Sequence, residues 1–202
     1  MPKSWIRQRN QDYFYRRAKE EQLRSRAAYK LLEAVEKFGL IKTGDVVVDL
    51  GAAPGGWMQT ALKAVGDEGF VLGVDLNIVE PFDAENSRSI VLDITEREVV
   101  DVVRGFLPGG WADVVVSDVS PNISGVWEVD HARQVDLARR SLYVAACVLK
   151  RGGNFFVKVF QGDLLSVFAS EVKGEFRSVR FLKPKASRKK SSELFVLCLG
   201  KV

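Results

Sequence analysis

Four apolar runs in this chain each end at or next to an aspartate. The four aspartates are Asp49, Asp75, Asp93 and Asp118. Amphipathic segments separate these runs. Strand-like and helix-like patterns that alternate in this way are typical of an α/β fold with a mostly parallel sheet. The carboxyl ends of parallel strands meet at one edge of a sheet, where doubly wound folds bind their ligands. We therefore expect the four carboxylates to share one pocket.

Seven apolar runs are predicted to be strands, at residues 46–50, 70–75, 89–92, 113–117, 154–159, 176–182 and 193–199. Helical patterning predicts five helices, at residues 25–38, 56–65, 97–105, 130–149 and 164–172. The segment 183–192 between the last two strands is basic, polar and too short to hold a crossover helix. These two strands are therefore predicted to be antiparallel.

The size and composition of the chain favour a single domain. With 202 residues, of which 47% are hydrophobic, one sizeable core is expected over residues 1–202, with residues 1–24 as a basic N-terminal extension. No apolar stretch approaches the roughly 20 residues of a membrane span, and no secretory signal follows the basic start. Cys147 and Cys198 lie in apolar patterns typical of buried thiols in a reducing compartment. Because His131 is the single histidine, no metal site is expected. We therefore expect a cytoplasmic protein that binds neither membrane nor metal.

Positive charge is concentrated in two segments. Residues 1–30 carry a net charge of +6 and residues 177–190 one of +7, which leaves −9 for the rest of a chain whose total is +4. Two basic segments on an acidic body favour nucleic acid as the partner, although either segment could be an ordinary solvated surface. In the first segment, aromatic residues alternate with arginines, which suits stacking on exposed RNA bases or, alternatively, core packing. These residues are Trp5, Arg7, Arg9, Tyr13, Phe14, Tyr15, Arg16 and Arg17.

A glycine-rich segment, DLGAAPGGW, spans the end of the first predicted strand and the start of the next helix. Gly51, Gly55 and Gly56 allow a tight turn and a close approach of the backbone to a ligand at the N-terminus of that helix. Asp75 lies 20 residues after Gly55 and ends the second strand, where a carboxylate can accept hydrogen bonds from ribose hydroxyls. Both features fit NAD as well as S-adenosylmethionine.

Asp93 helps to separate the two cofactors. A carboxylate at the end of the third predicted strand can accept from the exocyclic amine of adenine, and the glycine spacing differs from the dinucleotide fingerprint G-x-G-x-x-G. Aspartates also cap strands and form turns, so each of these acids alone has a second explanation. Four of them at successive strand ends favour a shared S-adenosylmethionine pocket.

Four motifs resemble those of one enzyme family. DLGAAPGGW, SDVSPNISG, KVFQG and SR-x-x-SSE occur in the order typical of the FtsJ/RrmJ family of RNA 2′-O-ribose methyltransferases, and the resemblance runs from about residue 25 to the end. It implies a Rossmann-like, S-adenosylmethionine-dependent methyltransferase fold, whose seven-stranded, mostly parallel sheet ends in an antiparallel hairpin. With the loop glycines included, the expected cofactor contacts are Gly51, Gly55, Gly56, Trp57, Asp75, Asp93 and Asp118.

The same resemblance implies a catalytic tetrad of Lys30, Asp118, Lys158 and Glu193. A 2′-hydroxyl is a poor nucleophile until it loses its proton, and an ordinary lysine is protonated at neutral pH. Lys30 and the sulfonium of the cofactor favour the neutral amine of Lys158, whereas Asp118 and Glu193 favour its charged form; the sequence leaves this balance open. Our hypothesis is that Lys158 is the base, steered by Asp118, with Lys30 and Glu193 positioning the ribose.

The resemblance extends to bacterial members that methylate a uridine of large-subunit ribosomal RNA, so ribosomal RNA or the large ribosomal subunit is the expected partner. Methylation of the anticodon loop of transfer RNA is an alternative, because the tetrad determines the reaction and not the target. An NAD-dependent oxidoreductase and a non-catalytic RNA-binding assembly factor are more remote alternatives. The sequence leaves the oligomeric state open, with a monomer favoured.

Overall fold

The structure is a computed structural model, and it describes residues 12–188 and 190–202. The described residues leave out Trp5, Arg7 and Arg9 of the first basic segment and Lys189 of the second.

The described residues form a sheet with helices on both of its faces. The helices are α1 (Tyr13–Glu20), α2 (Ala28–Phe38), α3 (Gly56–Val65), α4 (Val99–Phe106), α5 (Trp127–Val148) and α6 (Leu165–Glu175), with a 3₁₀ turn at Pro108–Gly110. The strands are β1 (Val46–Leu50), β2 (Phe70–Asp75), β3 (Ser87–Val91), β4 (Ala112–Ser117), β5 (Leu149–Phe160), β6 (Phe176–Leu182) and β7 (Glu193–Lys201).

The sheet has the order β3-β2-β1-β4-β5-β7-β6. The first five strands are parallel, while β7 pairs antiparallel with both β5 and β6. This confirms the predicted seven-stranded α/β fold with its antiparallel C-terminal hairpin. The order reverses between β1 and β4, so a crevice forms at their carboxyl ends, and this is where sheets of this type bind ligands.

Both faces of the sheet are covered by apolar side chains. Phe155 and Phe156 are neighbours in β5, and because side chains alternate along a strand they point to opposite faces. Phe155 packs in the cluster that includes α4, α5 and α6, whereas Phe156 packs in the cluster that includes α2 and α3. Each fully buried side chain of this kind stabilises the fold by roughly 1.5–3 kcal/mol. The two clusters hold the strand ends, and so the crevice, in place.

Helix α1 was not predicted from the sequence. The Asp12 side chain caps it by accepting from the backbone N–H of Tyr15 at 3.1 Å. On its inner side, Phe14 lies against the ring of Tyr29 in α2, with ring centroids 5.4 Å apart. Part of the N-terminal extension therefore packs onto the domain, and core packing is the role the structure gives Phe14.

Several predicted boundaries differ from the structure, those of the third strand, α5 and β5 among them. The third strand lies at Ser87–Val91, so Asp93 does not end it but follows two residues later. Helix α5 begins at Trp127, one turn before the predicted start, and β5 begins at Leu149, five residues before its predicted start. The early part of β5 reads KRGG, a polar and glycine-rich run without the pattern of a strand.

Within the described ranges, no helix is long and apolar enough to cross a membrane. The same residues contain no group of three or more His, Cys, Asp or Glu side chains placed to hold a metal ion. Both cysteines are free; Cys198 is buried as expected, while Cys147 is only half-buried.

Candidate active site

A cavity of about 380 Å³ opens in the crevice, at the ends of β1, β2 and β4 and in the turn after β3. Of the residues predicted to hold the cofactor, Gly51, Asp75 and Asp93 line it. Gly55, Gly56, Trp57 and Asp118 lie outside its lining. Apolar side chains and the loop after β4 complete the wall, through Leu76, Leu92, Ile94, Val119, Ser120 and Pro121.

Asp75 joins the cavity to the glycine loop. One carboxylate oxygen, Oδ2, accepts from the backbone N–H of Ala53 at 2.9 Å. The other, Oδ1, accepts from the backbone and side-chain amides of Asn77 at 2.8 and 3.0 Å. A carboxylate offers about four acceptor positions, so Asp75 keeps capacity for a hydroxyl group in the cavity while it fixes the loop to β2.

Asp93 forms a turn and also lines the cavity. Its Oδ1 accepts from the backbone N–H and the hydroxyl of Thr95, both at 2.8 Å. These two hydrogen bonds, the backbone one first, lower the pKa of Asp93 below its usual value. The residue is therefore an anion at neutral pH, suited to accept from an amine or hydroxyl. Asp93 therefore forms a turn and also lines the cavity, so both explanations considered for this aspartate apply.

The loop glycines are required by protein contacts. Gly51 has φ 82°, and a Cβ there would lie 2.8 Å from Cγ1 of Val119, where the loops after β1 and β4 cross. At Gly55, with φ 105°, a Cβ would lie 2.8 Å from Nη1 of Arg24. A Cβ at Gly56 would lie 2.1 Å from Oγ of Ser25. Gly55 and Gly56 thus make room for the segment before α2. The glycine spacing in the sequence did not reveal this reason for having glycine at the two positions.

Arg24 spans the outside of the glycine loop. Its guanidinium donates to the backbone carbonyls of Glu80 at 2.5 Å and Pro81 at 2.8 Å, and lies 3.5 Å from the ring centroid of Phe82. Its own backbone N–H donates to Oε1 of Gln59 in α3 at 3.0 Å. We call this arrangement the Arg24 strap. It ties the end of the basic N-terminal extension to α3 and to the loop after β2.

The side chain of Trp57 belongs to the core. It is 3% exposed, stacks on Phe156 at 5.6 Å and contacts the ring of Phe195 at 5.7 Å. Its Nε1 donates to the carbonyl of Ala27 at 2.7 Å. The apolar cluster of α2 and α3 therefore holds the indole away from the cavity, and the expected cofactor contact of Trp57 stays a prediction. A contact at this position would have to use the backbone.

Asp49 lies beneath the loop and does not line the cavity, contrary to expectation. It is 0% exposed, and neither carboxylate oxygen has a hydrogen-bond partner among the described residues. Burial, followed by the negative charges of Asp118 and Asp75, raises the pKa of Asp49 well above its usual value. The fold therefore favours the neutral acid at this position.

The structure brings Lys30, Asp118, Lys158 and Glu193 together, and we call these four residues the tetrad. The amine of Lys158, on β5, is 2.9 Å from Oδ1 of Asp118. It also donates to the backbone carbonyl of Asp118 and to Oγ of Ser120, each at 2.7 Å. Lys158 is only 5% exposed, and a buried ammonium requires partners of this kind.

Lys30 and Glu193 form the other half of the tetrad. Lys30, on α2, is 8% exposed and lies 2.6 Å from Oε2 of Glu193 on β7. It also lies 3.6 Å from Oδ2 of Asp118, so it bridges the two carboxylates. The other oxygen of Glu193, Oε1, accepts from the hydroxyl of Ser187 at 2.7 Å. Two cations and two anions thus alternate, and the cluster carries no net formal charge.

The two basic segments meet beside the tetrad. Ala18 of α1, Tyr29 of α2 and Ala186 of the β6–β7 loop form a small apolar cluster. Arg26 pairs with Asp12 and also donates to the carbonyl of Ala186. Helix α1 and the β6–β7 loop are therefore held on one surface, next to the residues that lead into Lys30 and Glu193. Exposed cations on this surface are Arg16, Arg17, Lys19, Lys183, Lys185, Arg188 and Lys190.

A polar face of α5 was missed by the sequence analysis. Asp130 accepts from the backbone N–H and the hydroxyl of Ser124 at 2.8 Å each, and so holds the loop after β4. His131 accepts the N–H of Leu164 at 3.2 Å through Nε2. Gln134 donates to two backbone carbonyls near the tetrad. These residues are all buried, and polar positions on a buried helix face were the available signal.

Comparison with known sequences finds one family. The family model described as FtsJ-like methyltransferase matches residues 23–201. A protein of Methanocaldococcus jannaschii named ribosomal RNA large subunit methyltransferase E is 48% identical over 197 residues, covering 96% of this chain and 80% of its own. A protein of the same name from Methanothermobacter thermautotrophicus is also 48% identical, covering 98% of this chain and 93% of its own.

Comparison with solved structures finds the same architecture. A Plasmodium falciparum protein described as a ribosomal RNA methyltransferase superposes with a TM-score of 0.79 at 26% identity, covering 88% of this chain and 98% of its own. A fibrillarin pre-rRNA processing protein of Methanococcus jannaschii superposes with a TM-score of 0.58 at 16% identity, covering 87% of this chain and 76% of its own. The second likeness concerns the fold alone.

Proposed function

Because the chain belongs to the FtsJ-like methyltransferase family, we propose that it transfers a methyl group from S-adenosylmethionine to the 2′-hydroxyl of a ribose in large-subunit ribosomal RNA, with a uridine as the nucleotide. The names of the methanogen relatives support the substrate class. The observation that carries the proposal is the assembled tetrad, which places a buried lysine beside a cavity suited to a nucleoside.

The cavity residues fit S-adenosylmethionine. Asp75 can accept from the ribose hydroxyls and Asp93 from the adenine amine, because both line the cavity and both are acceptors there. The apolar wall, which includes Leu92 and Ile94, suits a flat base. When bound, the cofactor supplies an electrophilic methyl group on a positively charged sulfur. Gly51, Gly55, Gly56, Trp57 and Asp118 are proposed as further contacts.

The role of Lys158 is to take the proton of the target hydroxyl. As an ammonium it donates to the Asp118 carbonyl and the Ser120 hydroxyl, and its charge is paired with the Asp118 carboxylate 2.9 Å away. As a neutral amine it has a lone pair in place of one donor. Ser120 is exposed and lines the cavity, so its contact is the one that a substrate hydroxyl can replace. Asp118 then stabilises the ammonium that forms.

The Lys30–Glu193 pair is proposed to position the ribose. It borders Asp118 on the side opposite Lys158, since Lys30 approaches Oδ2 and Lys158 approaches Oδ1. Buried ion pairs hold fixed geometry when each partner is compensated, as here. The pair can therefore offer a donor and an acceptor to the sugar without moving.

RNA is proposed to bind the surface formed by α1 and the β6–β7 loop. This surface carries exposed Lys and Arg side chains and leads directly to the tetrad through Ser187 and Glu193. Phosphate contacts by such cations supply most of the affinity for RNA and make it depend on salt. We expect a monomer to suffice, because every residue in this scheme comes from one chain.

Mapping 2′-O-methylation tests the proposal. Purified protein with S-adenosylmethionine is offered large ribosomal subunits, naked large-subunit RNA and transfer RNA. The products are digested to oligonucleotides, to locate the methyl group, and to nucleosides, to identify it, and both digests are analysed by mass spectrometry. We expect one 2′-O-methyluridine in large-subunit RNA. A methyl group in the anticodon loop would move the target to transfer RNA, and a methyl group on a base would overturn the ribose chemistry. If the protein bound these RNAs but methylated none, it would be a binding factor instead.

A further inference from the structure

Helix α5 connects the two strand ends that carry Asp118 and Lys158. The backbone pairing of β4 with β5 ends at Ser117 and Val157, one residue before each of them. Beyond that point, Nε2 of Gln134 donates to the carbonyl of Val119 at 3.2 Å and to the carbonyl of Lys158 at 3.1 Å. The side-chain amide thus supplies a cross-link between the strands where their own hydrogen bonds have stopped.

The two acceptors of this cross-link determine the geometry of the tetrad. One is the carbonyl of Lys158 itself, and the other belongs to Val119, the residue after Asp118. The distance between these two backbone positions sets how far the Lys158 amine reaches toward the Asp118 carboxylate, now 2.9 Å away. A small change in backbone separation would lengthen that contact directly.

Packing alone does not explain a glutamine at this position. Gln134 is 0% exposed, and its Oε1 has no hydrogen-bond partner among the described residues. A buried amide that leaves one atom unpaired costs free energy, which an apolar side chain of similar volume would avoid. The two donated hydrogen bonds are therefore the feature that distinguishes glutamine from methionine here.

We propose that Gln134 is a positioning residue for methyl transfer, which holds the Lys158 amine in register with Asp118 through their backbones. It touches neither cofactor nor substrate in this scheme and acts through Lys158. The inference rests on the proposed function, because the rate of methyl transfer is the quantity that the positioning serves. Among the described residues, the side chain of Gln134 alone donates both of these hydrogen bonds.

The test compares Gln134→Met and Gln134→Glu with the wild-type protein. Methionine keeps the volume but has no donor, whereas a glutamic acid, which burial between two carbonyls keeps neutral, keeps the shape and has one donor in place of two. We expect both variants to lose kcat by about 10- to 100-fold, since misplacing a reacting group by about 1 Å can cost that much. The Kd for S-adenosylmethionine and the KM for RNA should change by less than about twofold. Glutamate also guards against a methionine variant that fails to fold.

Ser141→Ala is the matched control. Ser141 lies on the same helix, and its hydroxyl pairs at 3.0 Å with that of Ser117, the last residue of β4; neither serine belongs to the tetrad. This variant should lower the melting temperature yet keep kcat. If the Gln134 variants kept wild-type kcat, or lost only RNA or cofactor affinity, the positioning role would be refuted. If the wild-type protein itself methylated no ribose, the proposed function would fail instead, so the two failures are distinguishable.

Discussion

The side chains of the cavity and those of the tetrad differ in how far away in the sequence their hydrogen-bond and ion-pair partners lie. In the cavity, Asp93 is fixed by Thr95, two residues away, and Asp75 is fixed in part by Asn77, also two residues away. In the tetrad, the Lys30–Glu193 contact joins positions 163 residues apart. The carboxylates of the cavity are therefore oriented mainly by local turns, whereas the contacts of the tetrad join residues that are far apart in sequence.

This difference determines what each region can tolerate. The cavity carboxylates border open space, so removing one of them takes away an acceptor and leaves little behind. Each tetrad side chain is at least mostly buried and compensates another charge. Removing one of them leaves an unpaired charge in a region of low dielectric, which is costly. We therefore expect substitutions in the tetrad to affect the reaction most and substitutions in the cavity to affect cofactor affinity.

The largest effect is expected at Lys158. Lys158→Ala should reduce single-turnover methyl transfer by at least about 100-fold, because the proposed base is lost. Lys158→Arg should fail to restore it, since a guanidinium does not deprotonate at accessible pH. Cofactor binding should persist, because Lys30 remains 3.6 Å from the Asp118 carboxylate and compensates its charge. Transfer by the Arg variant at close to the wild-type rate would exclude Lys158 as the base and leave it a positioning role.

An intermediate effect is expected at the cavity carboxylates. Asp75→Ala and Asp93→Ala should each weaken S-adenosylmethionine binding by roughly 10- to 100-fold, as expected for a lost hydrogen bond to a charged group. Asp75 should have the larger effect, because it also holds the N–H of Ala53 in the glycine loop. Calorimetric titration with the cofactor measures both, and RNA affinity should be nearly intact.

Asp83→Ala serves as the control for the cavity variants, because Asp83 is an exposed acid in the loop after β2 and does not line the cavity. The same titrations with NAD in place of S-adenosylmethionine check the identity of the cofactor. Tight binding of NAD without a signal for S-adenosylmethionine would contradict the assignment of the cavity.

The smallest effect is expected at Asp49, whose pKa is raised by burial and by charges from both regions, Asp118 and Asp75. In the unfolded chain an aspartate titrates near pH ~3.9. Above that pH the native state keeps a proton that the unfolded state has lost, so the wild-type protein loses stability as pH rises toward the raised native pKa. Asp49→Asn removes this dependence. The variant should melt at a higher temperature than the wild type, by a margin that grows from pH 5 to pH 8.

Thermal melting across this pH range checks the Asp49 prediction. An equal difference between variant and wild type at both ends of the range would show that Asp49 does not titrate there.

Much of the fold could be predicted because its strands are short, apolar and bounded by glycine or aspartate. The predicted bounds of β1, β2, β6 and α3 agree with the structure. Helix α1 could not be predicted, because it is short, half of its eight residues are charged, and it is stabilised by packing against Tyr29 of α2. The start of β5 was missed because its polar run 150–153 has no strand pattern: Leu149 pairs with Ala112, and the register shifts before Asn154 pairs with Val114.

Residues of the candidate site could be predicted where they lie within a recognisable sequence motif. The structure brings the four tetrad positions together as expected, while their catalytic roles stay predictions. The sequence could not show that Trp57 turns into the core or that Asp49 is sealed beneath the loop, since both depend on contacts with distant segments. The only sequence signal for Gln134 was a polar position on a buried helix face, and its role could not be predicted because its partners are backbone atoms of any residue type.

The Arg24 strap changes how the N-terminal extension should be regarded. It anchors the last residue of that extension to Gln59 in α3 and to the carbonyls of Glu80 and Pro81. Cutting away residues 1–24 would therefore uncover the glycine loop as well as remove cations, and a loss of activity in such a truncation would have two causes. Neutralising Arg188 and Lys190 leaves the strap in place. If RNA binds the extension as proposed, we expect its binding to be coupled through Arg24 to the glycine loop, and by thermodynamic reciprocity an occupied cavity would then favour RNA binding by the same factor.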